Sequence, residues 1–276
     1  MVTLLKFFAL TFLVSWLFFI AGAAGAGAFG NPVPVLAEIR GALFLIGTVT
    51  PALVAIWLTA RAEGNSGTQA LLSRVLKWDV GARWYVFAIL YNLIVKLAVA
   101  LTYRAITGTW PQFGSEAWYL IVGAMVISTP VQAGEEIGWR GFALPRLADR
   151  AGFRRASVLL GVIWAVWHLP FFYVPGIDMY GQSFPTFALG VTAISVAMAW
   201  LYVRTNGSLL LTMLMHSAIN QTVGIVSDVG KAGNPFTVRP PLSFVLTVAF
   251  LWIPAVYFLV RMPGAVASEP AARAGR

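Results

Sequence analysis

Eight apolar runs of about twenty residues each limit what this chain can fold into. They cover residues 3–23, 41–60, 83–103, 117–138, 156–173, 184–203, 207–227 and 242–261. A helix that crosses a bilayer needs roughly 20 mostly apolar residues. Composition agrees: 59% of the 276 residues are hydrophobic and 11% are charged. A soluble domain carries about 25% charged residues. The expected fold class is therefore all-α, a polytopic transmembrane helical bundle of about eight spans. The first run, LLKFFALTFLVSWLFFIAGAA, exceeds the roughly 7–15 residues of a signal-peptide core and follows a thin basic region, so it reads as a retained helix.

Charge orients the bundle. The net charge of +9 is scattered between apolar runs, which fits lipid headgroups and membrane orientation and argues against a nucleic-acid partner. With the N-terminus inside, fourteen of the 19 basic residues fall on the inner side, four outside, and one, Lys96, within a span. That bias puts both termini in the cytoplasm. The segment Arg61 to Trp84 spaces Leu71, Leu72, Val75 and Leu76 as a short amphipathic helix would, although a solvated loop accounts for it equally well. Residues 1–262 form one transmembrane domain with a motif core over 117–227, and 263–276 form a tail rich in Ala, Gly and Pro, expected to be disordered. The chain has no cysteine, which excludes disulfides and thiolate chemistry.

Ionisable groups within spans call for a functional explanation. They are Lys96, Glu135, Glu136, Arg140, His168 and His216, and the two histidines are the only ones in the chain. In AGEEIGWRGF, Glu136 and Arg140 are four apart and share a helix face, so they can pair. Glu135 points about 100° away and is left free to take a proton. A wetted, structural helix end is the competing reading of this cluster. In WAVWHLPFF, Trp164 lies one turn before His168 and can pack on its ring, and Pro170 can free a carbonyl for His168. In HSAIN, His216 and Asn220 share a face and can direct donors at one point, or can serve as glue between helices. Counted along the helices from their cytoplasmic ends, His168 lies about 18 Å deep, His216 about 14 Å and Glu135 only about 5 Å. Three helices carrying charge at related depths point to one shared polar cavity. Lys96 reads as reaching an interface or backbone carbonyls, without a catalytic role.

Two chemistries fit this set. Glutamate with histidine can activate water for attack on a carbonyl, while histidine and asparagine donate to the oxyanion. Alternatively Glu135, His168 and His216 can hold a catalytic zinc. Neither a G-x-S-x-G elbow nor an H-E-x-x-H helix is present. Both readings amount to amide hydrolysis inside a membrane.

These three motifs resemble those of the CPBP family of intramembrane proteases, which includes the type II CAAX prenyl endopeptidases and the Abi proteins. Glu135, Glu136 and Arg140 match its first motif. Trp164 and His168 match the second, which usually begins with phenylalanine. His216 and Asn220 match the third. The resemblance implies that Glu135 is the general base acting with His168 on water, that Glu136 pairs with Arg140, and that His216 and Asn220 form the oxyanion hole. It implies an endopeptidase, often labelled a metalloprotease, acting near the C-terminus of a membrane-bound protein or peptide that need not be prenylated. The basic bias and short loops point to a multi-pass protein of the bacterial inner membrane. The rival readings are a non-catalytic membrane immunity or scaffold protein, as in bacteriocin self-immunity, and a proton-coupled transporter. The absence of an internal inverted repeat weighs against transport.

Overall fold

A computed structural model describes residues 2–227 and 233–263. The helices run in the order α1 (Val2–Gly25), α2 (Pro34–Glu38), α3 (Arg40–Ser73), α4 (Ala82–Thr107), α5 (Trp118–Ser128), α6 (Ala133–Glu136), α7 (Leu144–Trp167), α8 (Phe184–Arg204), α9 (Leu209–Thr222) and α10 (Leu242–Arg261). A π-helical stretch, Ile137–Ala143, joins α6 to α7. Apart from one isolated bridge between Phe113 and Val226, the described residues contain no strand. The protein is an all-α helical bundle. Six helical stretches are long and apolar enough to cross a membrane, and Trp118–Ser128 and Leu209–Ile225 are shorter apolar helices. The protein is thus an integral, multi-pass membrane protein. The tail predicted over 263–276 lies outside the described residues from position 264 onward.

Two expected boundaries move. The run read as one span over 117–138 breaks after Ser128, where Pro130 starts a 3-10 turn over Pro130–Gln132. Proline has no N–H to continue an α-helical ladder and clashes with the turn before it. Helix then resumes and continues beyond Ala143 into α7, well past position 138. The reversal comes at Gly152, whose φ of 73° and ψ of 158° lie where only glycine is unstrained. The first arm, from Pro130 to Gly152, and the second, from Gly152 to Trp167, therefore form a hairpin. The segment after Arg61 is helical, as one of the two readings held. It extends α3 through Ser73 after a kink at Gly64 and ends in a 3-10 turn at Leu76. Leu71 from this extension is buried against the bundle, and Leu76 is exposed.

Helix pairs α1–α3, α7–α8, α4–α9 and α8–α10 make the main packing surfaces. Small residues let backbones approach closely, as helix packing in lipid favours. A Cβ on Gly138 would lie 2.7 Å from the Pro51 carbonyl carbon, and one on Gly161 would lie 2.7 Å from Thr192 Cα. The first contact seats the π-helical stretch on α3 and the second seats α7 on α8. At one end of the bundle Arg146 pairs with Glu63, Arg74 donates to the Tyr202 hydroxyl at 2.9 Å, and Lys77 donates to the Asn206 carbonyl at 2.9 Å. Arg154 closes the same end by donating to the Met262 carbonyl at 2.9 Å. Segments expected on the inner side thus meet one another.

Candidate active site

The hairpin solves the depth mismatch. Glu135 precedes Gly152 by about 17 residues and His168 follows it by about 16, so each arm spans roughly 25 Å at 1.5 Å per residue. Glu135 is therefore about as deep as His168. The shallow value of about 5 Å came from ending the helix at 138. The AGEEIGWRGF cluster is not a wetted helix end: Glu136 and Arg140 are fully buried, and Glu135 is 6% exposed. Arg140, named above among the ionisable groups within spans, belongs to the bundle interior.

Glu136 and Arg140 pair as the spacing requires, with Nη1 donating to Oε1 at 2.8 Å. The same Oε1 accepts from His216 Nδ1 of α9 at 2.9 Å. This second partner was not foreseen, because nothing local links positions 136 and 216. Arg140 also stacks its guanidinium over the Trp164 ring at 4.2 Å, an arrangement in which the ring face attracts the cation.

Glu135 is not left without hydrogen bonds. Its Oε2 accepts from the Trp164 indole N–H at 2.8 Å and from the Trp139 indole N–H at 3.3 Å. Trp139 is four residues after Glu135, a spacing legible in the sequence. Trp164 reaches it only through the hairpin.

His168 ends α7. Its backbone N–H turns to the Ala165 carbonyl at 3.1 Å, a tighter bond than the α-helical pattern. The Trp164 carbonyl then takes the His168 ring at Nδ1, 2.7 Å away. A carbonyl can only accept, so Nδ1 carries the proton and Nε2 of the neutral ring keeps a lone pair. A carbonyl does hold His168, and it is that of Trp164. The expected packing of Trp164 on the imidazole is present, edge to face at 5.5 Å between centroids. Trp167, Phe171 and Phe187 enclose the same ring.

Glu135, His168, His216 and Asn220 all line one cavity of about 550 Å³. His216 is nearly buried, whereas Asn220 is exposed. Gln132, one turn before Glu135, faces the same space. Lys96 does too, and it reaches no interface. It is fully buried and donates to the Val226 carbonyl at 3.2 Å and the Thr247 hydroxyl at 3.4 Å, so the carbonyl half of the expectation describes it. Nearby, Asn92 donates to the Thr222 hydroxyl at 2.9 Å. Lys96 and Asn92 of α4 lie far from the three motifs in sequence, and only the fold brings them to this cavity.

The three residues of the expected zinc set, Glu135, His168 and His216, line the same cavity. Among the described residues no three His, Asp or Glu groups are placed to hold a metal ion. Glu135 Oε2 and both Nδ1 atoms are held by protein partners, which leaves Glu135 Oε1 and the two Nε2 atoms to face a ligand.

Two comparisons bear on this geometry. A family model described as "Type II CAAX prenyl endopeptidase Rce1-like" matches residues 114–222, which contain every motif residue from Glu135 to Asn220. The chain is also 24% identical to "CAAX prenyl protease 2" of Methanococcus maripaludis over 232 residues, covering 78% of this chain and 81% of that protein.

Proposed function

We propose that this chain is a CAAX-type endopeptidase of the CPBP family, as its similarities suggest, and that it cleaves a peptide bond near the C-terminus of a membrane-associated protein. The reading rests above all on one observation: Glu135, His168 and His216, from three separate helical segments, line a single cavity within the bundle.

In this reading a water in the cavity sits between the carboxylate of Glu135 and Nε2 of His168. His168 Nε2 accepts one hydrogen of that water and aligns its lone pair. Glu135 takes the other hydrogen as a proton as the oxygen bonds to the scissile carbonyl carbon. Charge then develops on the former carbonyl oxygen. The Asn220 amide donates to it, and so does His216 Nε2–H when that ring is protonated. Glu136, bonded to His216 at Nδ1, balances the imidazolium. As the tetrahedral centre collapses, the C–N bond breaks and Glu135 returns its proton to the departing amine. Burial serves this chemistry, because charge interactions strengthen where water is scarce.

Part of the cavity lining, with Ile194, Phe187 and Leu251, is apolar. That part suits a substrate presented from the bilayer, with or without a lipid chain. The test uses purified protein in detergent and quenched fluorescent peptides. One set carries a farnesylated cysteine three residues from the C-terminus, and the other carries unmodified cysteine. Wild type is expected to cleave, and Glu135→Gln and His168→Ala are expected not to. Cleavage that persists in both variants sinks the assignment.

A further inference from the structure

The residue at the centre of the site is neither a carboxylate nor a histidine. Trp164 donates its indole N–H to Glu135 Oε2 at 2.8 Å. Its ring face carries the Arg140 guanidinium at 4.2 Å. Its carbonyl fixes the His168 tautomer at 2.7 Å. Its ring also meets His216 edge to face at 5.2 Å. One residue thus touches Glu135, Arg140, His168 and His216, and reaches Glu136 through Arg140.

We infer that Trp164 is a positioning residue whose indole N–H selects which oxygen of Glu135 works. Oε2 is occupied by the Trp164 and Trp139 indoles. Among the described residues no hydrogen bond from protein reaches Oε1, although Glu135 lines the cavity and keeps 6% of its surface open. A carboxylate held by one oxygen cannot turn about its final bond without giving up the 2.8 Å hydrogen bond. Oε1 is therefore held toward the cavity, where the reacting water must lie. A phenyl ring at position 164 keeps the apolar body and loses the donor. The Trp139 indole, at 3.3 Å, holds the carboxylate more weakly.

This inference builds on the reading of Glu135 as base, and two measurements separate them. The first needs no substrate. With tryptophan side chains labelled at the indole nitrogen, the Trp164 N–H resonance is identified by its loss in Trp164→Phe. It is expected to move markedly in Glu135→Gln, because its acceptor changes from a carboxylate to an amide. A resonance that stays put overturns the inference. The second measurement is turnover of whichever peptide the wild type cleaves best. Trp164→Phe is expected to lower kcat by about tenfold to a hundredfold with little change in KM, since misplacement of a reacting group by about 1 Å costs up to roughly a hundredfold. The sulfur analogue of tryptophan at 164, which keeps the ring and lacks the N–H, is expected to behave like Trp164→Phe, and Trp139→Phe to lose less. Full kcat with the sulfur analogue overturns the positioning role while leaving Glu135 as base. Full activity in Glu135→Gln instead sinks the base reading, and the inference with it.

Discussion

Glu136 and His216, eighty positions apart, share a hydrogen bond of 2.9 Å, and the same glutamate oxygen holds Arg140 at 2.8 Å. Glu136 is therefore a junction. It ties the first arm of the hairpin to α9 and supplies the negative charge that both basic groups face. Glu135, its neighbour in the chain, points to the other side and into the cavity.

Glu136→Ala is expected to lower the folded yield in detergent far more than Glu135→Ala. It leaves Arg140 buried without its carboxylate, and removing one partner of a buried pair costs about 3–5 kcal/mol. Size-exclusion profiles and thermal unfolding of the two variants check this. Equal behaviour would remove the junction.

His168→Ala is expected to cut kcat by about a hundredfold to ten-thousandfold, the range for loss of an acid–base group. KM should change little, because the ring faces the reacting water more than the peptide. Steady-state kinetics on a cleaved peptide provide the readout, and a change confined to KM contradicts the role.

Removing one donor to a developing oxyanion costs about a hundredfold to a thousandfold in kcat. Asn220→Ala is expected to show that loss with an unchanged melting temperature, since Asn220 is exposed and lies on the cavity wall. If stability falls and turnover does not, Asn220 is helix glue.

Gly138→Ala tests the seat of the site. Its Cβ would fall within 2.7 Å of the Pro51 backbone carbon, where nothing can give way without moving α3. Overpacking of this kind costs about 1–3 kcal/mol. A lowered melting temperature together with reduced kcat is expected, because the π-helical stretch carries Arg140. Wild-type stability would show that α3 yields freely at this contact.

Exhaustive treatment with a chelator, followed by gel filtration, is expected to leave peptide cleavage intact, because the mechanism proposed above routes no step through a metal. Activity lost to the chelator and restored by zinc would refute that mechanism.

The sequence by itself determined the class of fold, the candidate residues and one pairing. Run length and hydropathy report transfer into lipid, which is a property of a segment alone, so the membrane bundle was legible. The Glu136–Arg140 pair was legible too, because four residues on a helix always make neighbours. Tertiary structure decided the rest. Pro130 and Gly152 permit a break and a reversal, but the continuation of the helix past 138 and the closure of the two arms depend on how the hairpin packs against α3 and α8, and that packing sets the depth of Glu135. The partners of Glu135 and His216 were hidden for the same reason. Trp164 reaches Glu135, and Glu136 reaches His216, only because two arms of similar length fold back beside α9. Hydrogen bonds across 29 and 80 positions leave no local spacing to read.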